Sequence, residues 1–351
     1  MADLSTTYMG MSLRNPLVVA SSSLSGTLEG VKRCAAAGAG AIVLKSLFEE
    51  QIVAETGALS QYADYANHGE AAEYLQGYGM ELGPREYLQL VSDAKKAVDV
   101  PIIPSLNCFS NERWADYGKK LQNAGADAIE LNIGFMPTQL RQDGKTVEER
   151  YYRILHEVKS QVSIPVALKV GPYLSSFANM ADRLTRDRME APDFTVGWCG
   201  PSASSGKVIW QGADALVLFN RFYQFDIDID HLGLVAGNPY SSPAEIHLAL
   251  RWISLLAGRI DADLAATTGI HDGRDLVKQL LAGATVVQPC STLYKNGLGQ
   301  IGLMLQQLQD WMAEHGFATL DAFRGRLSQA RSDRPESFER LQYIKLFVGI
   351  E

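Results

Sequence analysis

Eight short stretches of this chain end in residues able to hold a ligand: "ASSSLSG" (20–26), "LKS" (44–46), "LNC" (106–108), "LNIG" (131–134), "LKV" (168–170), "FNR" (219–221), "TTGIHDG" (267–273) and "QPCSTLY" (288–294). Small hydroxyls, amides and two lysines, Lys45 and Lys169, dominate the set. No carboxylate or histidine cluster of the kind metal ions require accompanies them, so no metal is expected. Hydroxyls and amides can pair along the edge of a flat ring, and a lysine adds fixed positive charge. The inventory therefore suits a planar, hydrogen-bonding, anionic cofactor. "TTGI" precedes a helix start at Asp272, and "CSTL" follows one unit later. Together they offer backbone N–H groups and hydroxyls of the kind that bind phosphate. Taken singly, each Gly or Ser reads as a tight turn; their common order favours a ligand site.

The elements that must position these ends are short apolar, β-branched runs at 16–20, 41–45, 101–107, 127–132, 165–170, 214–220, 262–267 and 284–288. Between them lie helical patterns such as "TLEGVKRCAAAGAG", "NERWADYGKKLQNAGA" and "GRDLVKQLLAGA". Strands apolar on both faces and alternating with helices are what an α/β fold of the (β/α)8 TIM-barrel type requires, with ligands at the C-terminal strand ends. An open doubly wound sheet is the alternative, but its usual GxGxxG turn is absent. The expectation is one domain over 1–351. It carries a long polar loop at 46–90 after the second strand, an insertion loop at 185–211, and a helical tail at 330–351 that packs on the barrel.

Composition narrows the function. The chain has 351 residues and a net charge of −8, and no segment concentrates Lys and Arg as a nucleic-acid surface must. Cys34, Cys108, Cys199 and Cys290 lie far apart with no CxxC pair, which suggests neither a zinc site nor a disulfide framework. No signal-peptide pattern and no run of bilayer-spanning length is present. A cytoplasmic protein with a small-molecule substrate, and neither nucleic acid nor membrane as partner, is the expectation.

The succession "NPLVVASSSLSG", "VLKS", "ELN", "ALKV", "LVLFN", "TTGIHDG", "LLAGATVVQ", "LYKNG" resembles the dihydroorotate dehydrogenase family, FMN-dependent barrels of pyrimidine metabolism. The resemblance covers most of the chain outside 185–211 and much of 46–90. It implies FMN contacts at Ala20, Ser21, Lys45, Ser46, Asn132, Lys169, Thr268, Gly269, Cys290 and Ser291, and a substrate amide at Asn220. The family usually has Gly where this sequence has Thr268 and Cys290. Such flavoproteins are often dimers, so a homodimer is the implied assembly, though no sequence feature fixes its interface.

The resemblance fails where the chemistry needs a base. Taking a hydride from a dihydropyrimidine also takes a proton from the adjacent carbon. The family supplies Cys or Ser for this in an "NxSCPN"-type loop after the fourth strand. Here the loop reads "NIGFMPT" (132–138), in which Gly134, Phe135 and Met136 accept no proton and Pro137 stands in place of a substrate-binding Asn. The family's "NxMGLxN" segment is likewise replaced by "LQGYGMELG" (75–83). Cys108, Tyr78 and Glu81 are the remaining base candidates, each with an ordinary packing or surface role as its alternative. His271 fits a helix cap or a phosphate contact better, and Glu130, two residues before Asn132, a place on the same barrel face beside Lys169 or Lys45.

Three functions follow: an FMN oxidoreductase whose substrate has drifted from dihydroorotate, an authentic dihydroorotate dehydrogenase with an unusual base, or a flavin-binding or electron-transfer subunit without turnover. With no quinone-branch helical extension before the barrel and no iron–sulfur cysteine cluster, membrane quinone is not the expected electron acceptor.

Overall fold

The computed structural model describes residues 2–51, 84–108, 111–186, 211–222 and 224–339. An antiparallel hairpin, β1 (Thr6–Tyr8) and β2 (Met11–Leu13), opens the chain. β3 (Val18–Val19), β4 (Ala41–Val43), β5 (Leu47–Phe48), β6 (Ile102–Ile103), β7 (Ser105–Asn107), β8 (Ile129–Ile133), β9 (Val166–Val170) and β10 (Ala215–Leu218) follow. A second hairpin, β11 (Phe225–Asp228) and β12 (Gly233–Ala236), precedes β13 (Asp263–Thr267) and β14 (Val286–Gln288).

The parallel strands pair in sequence order. One sheet runs β14-β13-β10-β9-β8-β7-β5 and a smaller one β3-β4-β6. The division has a local cause. Pro104 separates β6 from β7 because it lacks an N–H for the ladder, yet its carbonyl still accepts from Glu130 N at 3.0 Å. At the far edge Leu17 forms a parallel bridge with Val287, and Val287 N donates to Pro16 O at 2.9 Å. This α/β arrangement is consistent with the expected eight-unit barrel.

Two apolar layers follow from strand alternation. Leu131, Ile133, Leu168, Val170 and Leu216 belong to the large core between strands and helices. Val43, Ile103, Ala128, Ala167, Val217, Ala265 and Val286 form a separate inner cluster with Tyr8, Met9 and Leu13 of the first hairpin. The hairpin thus plugs the N-terminal end of the strands, where Met9 N donates to Asp263 Oδ2 at 2.6 Å. Small alanines inside leave room for the polar residues one or two positions further along each strand.

The helices form for readable reasons. The helix Leu28–Ala36 is capped by Thr27, whose hydroxyl accepts from Gly30 N, and Gly273–Ala282 begins at Asp272 and ends at Gly283 with φ 118°. Glycine there has no Cβ to strain against positive φ. Two corrections concern loops. The last part of the expected 46–90 loop is helical from Pro84 to Ala97, burying Tyr87, Leu90, Val91 and Ala94 at helical spacing. The segment after β10 holds the β11–β12 ribbon, which the sequence reading passed over. Residues 52–83, 187–210 and 340–351 lie outside the described residues, and with them most of the insertion and of the C-terminal tail, of which the helix Glu336–Glu339 is described. No described helix is long and apolar enough to cross a membrane.

Candidate active site

The C-terminal ends of β9, β10, β13, β14 and β3 surround a cavity of about 220 Å³. Its wall contains Ala20, Ser21, Lys169, Thr268, Gly269, Cys290 and Ser291 from the expected cofactor set, and Asn220. Two more of the set attach through hydrogen bonds. Ser46 Oγ lies 3.1 Å from Ser21 Oγ and 2.8 Å from Ser105 Oγ, so one hydroxyl chain crosses the first three strand units. Asn132 Oδ1 accepts from Asn220 Nδ2 at 2.7 Å. Lys45 is half-buried, its stem 3.2 Å from where a Cβ on Gly26 would stand.

Beneath the cavity lies a buried carboxyl group. Glu130 is 1 % exposed, and its Oε1 lies 3.8 Å from Lys169 Nζ. Glu130 Oε2 accepts from Gln288 Nε2 at 3.0 Å. Among the described residues Oε1 has no hydrogen-bond partner, nor has Gln288 Oε1. Asn132 and Lys169 are Cα partners across β8 and β9. Glu130 therefore sits one tier deeper in the same interior column.

Strand seven's end is shaped by backbone. Gly269 has φ 74°, and a Cβ there would fall 2.2 Å from Ile246 N; no side chain fits. Its N–H donates to Ser241 Oγ at 3.3 Å, and Ser241 N donates to Ser291 Oγ at 2.9 Å. Thr268 takes φ 70°, the left-handed region that favours glycine and costs a β-branched residue more. His271 Nε2 lies 3.3 Å from Ser241 Oγ, while its carbonyl accepts from Thr292 Oγ1 and Gln300 Nε2. Burial, then the Lys295 ammonium, holds the imidazole below its usual value. A neutral ring follows at neutral pH.

The base candidates fare differently. β7 alternation turns Asn107 toward the mouth, where Nδ2 donates to Asn132 O at 3.0 Å, and turns Cys108 into the outer core. Burial, with Glu49 and Glu50 nearby, pushes the Cys108 thiol far up, the condition of a core thiol rather than a base. Tyr78 and Glu81 lie outside the described residues. In the loop after β8, Gly134 abuts Asn220: a Cβ on it would lie 3.0 Å from Asn220 Nδ2. Phe135 turns onto Tyr151, ring centroids 5.7 Å apart, beneath the Arg150 guanidinium.

Sequence reasoning missed Ser241 as a cavity residue, and it included Phe219, Arg221 and Asn107 only as members of the "FNR" and "LNC" strand ends, with no role of their own. Asn107 stood in the "LNC" stretch beside the cysteine that drew attention. Ser241 stands just before a capping box, Ser242 with Glu245; that signal marks the helix start, but pairing with Ser291 is a long-range fact. Arg221 ended the "FNR" stretch, but its partners are long-range: its guanidinium is held by Glu245 Oε1 at 2.8 Å and by the carbonyls of Asn238 and Pro239.

No family model matches the chain. Curated relatives do. The chain is 28 % identical over 337 residues to the protein named dihydroorotate dehydrogenase B (NAD(+)), catalytic subunit, of Thermoplasma volcanium, covering 93 % of this chain and 98 % of the relative. The chain is similar over nearly its whole length to proteins named as dihydroorotate dehydrogenase subunits. The same-named protein of Methanothermobacter thermautotrophicus is 25 % identical over 337 residues, 92 % of this chain and 97 % of the relative. A chloroplastic dihydropyrimidine dehydrogenase (NADP(+)) of Arabidopsis thaliana is 21 % identical over 343 residues, 92 % of this chain and 76 % of its own length. The dihydroorotate dehydrogenase resemblance drawn from the strand ends thus extends over nearly the whole chain.

Proposed function

We propose that this protein is an FMN-dependent oxidoreductase acting on the CH–CH bond of a dihydropyrimidine-like or other small planar substrate, in a closed (β/α)8 barrel. The relatives' printed activities on dihydroorotate and on dihydropyrimidines support the reaction class. FMN fits the residues present. The cavity offers Lys169, whose ammonium makes no hydrogen bond among the described residues, hydroxyls of Ser21 and Ser291, and a backbone at Gly269 that admits no Cβ. When bound, FMN supplies hydride acceptance at one ring nitrogen. Lys169 and Lys45 would lie near the ring, Asn132 would pair with it, and Thr268, Gly269, Cys290 and Ser291 would surround the phosphate. Asn220, already paired to Asn132, would present an amide to substrate.

The observation that carries the drift of substrate is Phe135. At the position where the family keeps a Cys or Ser base, this side chain packs on Tyr151 and Arg150, and neither neighbour in the loop accepts a proton. A site that loses its hydrogen-bonding groups changes its ligand preference strongly, since the partner's polar groups go unpaired. The test is an anaerobic titration of the FMN-loaded protein with dihydroorotate, followed by the flavin's visible absorbance. A flavin that stays oxidised with dihydroorotate, yet is reduced by dithionite and by another donor that yields product, is the expected result. Prompt bleaching by dihydroorotate would instead make the protein an authentic dihydroorotate dehydrogenase, and no donor at all would make it a flavin-binding subunit. A homodimer completes the proposal: one face of the β11–β12 ribbon, with Phe225, Ile227 and Leu234 at 58–65 % exposure, is apolar and uncharged. Light scattering of the purified chain tests it.

A further inference from the structure

Glu130 has no part in the proposed chemistry, yet a carboxyl group as buried as this one is costly. An ionised carboxylate at 1 % exposure is retained only when charge or hydrogen bonds compensate it. One oxygen has the Gln288 amide; the other has no hydrogen-bond partner among the described residues, and the Lys169 ammonium lies 3.8 Å away, beyond hydrogen-bond range. Lys169 lines the cavity, so its charge faces two ways: down to Glu130, and up to whatever occupies the mouth. It makes no hydrogen bond among the described residues, so its donors are unspent.

We propose that Glu130 is a positioning residue that sets the electrostatic potential at the ring end of the cofactor cavity by partly neutralising Lys169. The inference rests on the FMN reading above. A cation at the ring edge favours the reduced, negatively charged cofactor over the oxidised one. A buried anion behind that cation offsets the preference, and low polarity around both makes the offset large. Gln288 fixes the carboxylate from β14, so the pair stays in register with the cavity.

A structural role and an electrostatic role predict different signs. Glu130→Gln keeps the shape and the acceptor for Gln288 Nε2 but leaves Lys169 uncompensated. It should raise the ratio of affinities for reduced over oxidised FMN at least tenfold, about 30 mV upward for a two-electron couple. Lys169→Met removes the cation and leaves the carboxylate, so the ratio should fall by a similar factor. The double variant should return towards the wild-type value, since the two groups act on each other. The experiment is equilibrium reduction of each FMN-loaded protein against a dye of known potential, with FMN affinity of the apoproteins measured by fluorescence quenching. Opposite shifts that cancel in the double variant support the proposal. Shifts of the same sign, or no shift in Glu130→Gln, overturn it even where FMN binds, the latter because Glu130 would then be neutral in the native site. A wild-type chain that binds no FMN would instead overturn the FMN reading, and this inference with it.

Discussion

Two regions of different make-up meet at the end of β8. Glu130 and Asn132 stand in the interior column with Lys169, Gln288 and Asn220, where the expected cofactor set is nearly complete. Gly134 and Phe135, just beyond the strand, carry nothing that could serve the expected proton transfer. The difference shows what each region is made of. The proposed cofactor side consists of strand positions and backbone, whose geometry the core between strands and helices enforces; the proposed reaction side consists of loop side chains, which can change without disturbing that core. Phe135 illustrates the freedom, since its ring packs on Tyr151 beneath the Arg150 guanidinium.

The largest expected effect breaks the cofactor side. Gly269→Ala puts a Cβ 2.2 Å from Ile246 N at φ 74°, and the clash is with backbone that cannot move away. A loss on the order of 3 kcal/mol in unfolding free energy is expected, with loss of bound FMN; denaturant unfolding and the flavin spectrum check both. If stability held, the strand-seven turn would be far softer than the comparison requires.

The reaction side should respond in the other direction. Phe135→Cys combined with Pro137→Asn restores the side-chain types that the family loop carries. A positioned base is worth about 100-fold or more in rate, so stopped-flow reduction of the flavin by dihydroorotate should accelerate by about that factor. An unchanged rate in a variant that still loads FMN would place the barrier elsewhere, in the segment around Tyr78 and Glu81.

How much of this was legible in sequence follows the same division. Strand ends were readable because both faces of each strand are apolar until the last residue or two, so the polar residues at "ELN" and "LKV" announce the mouth. Helix starts at Thr27 and Asp272 were readable because capping is local. The β11–β12 ribbon was not, although "FDIDID" alternates with a period of two; without a core to bury its apolar face, it does not resemble the buried strands around it. Long-range pairings such as Ser241 with Ser291, 50 residues apart, leave no trace in spacing. Cys108 could be read from residue type either as a thiol base or as an apolar filler, and β7 alternation turns it outward into the core.

A smaller effect tests the wall proposed to hold phosphate, by pH. The folded imidazole of His271 lies below its unfolded value, held there first by burial and then by Lys295. Stability from this group is complete above the unfolded value, about 6.5, and is lost as pH falls through the folded value, because the unfolded chain binds the proton first. His271→Asn should flatten part of the loss of apoprotein stability between about pH 7 and about pH 5. His156, also lowered by burial, accounts for a remainder. An acid limb identical to wild type would mean that the His271 ring is as accessible to protons folded as unfolded.

The smallest effect sharpens the comparison most. Thr268 stands where the family keeps glycine, and it pays for the left-handed φ of 70° that glycine would adopt freely. That conformation costs an ordinary residue roughly 1–2 kcal/mol, whereas glycine loses about 0.5–1 kcal/mol more chain entropy on folding. The hydroxyl returns little, since its contact to Phe219 O is 3.4 Å. Thr268→Gly should therefore raise unfolding free energy slightly, by about 0.5 kcal/mol, and leave FMN affinity undiminished. A fall in affinity would show that the Thr268 side chain has become part of the phosphate site. The cofactor side would then have been rebuilt too, by side chains in place of bare backbone, and the two regions would differ in degree rather than in kind.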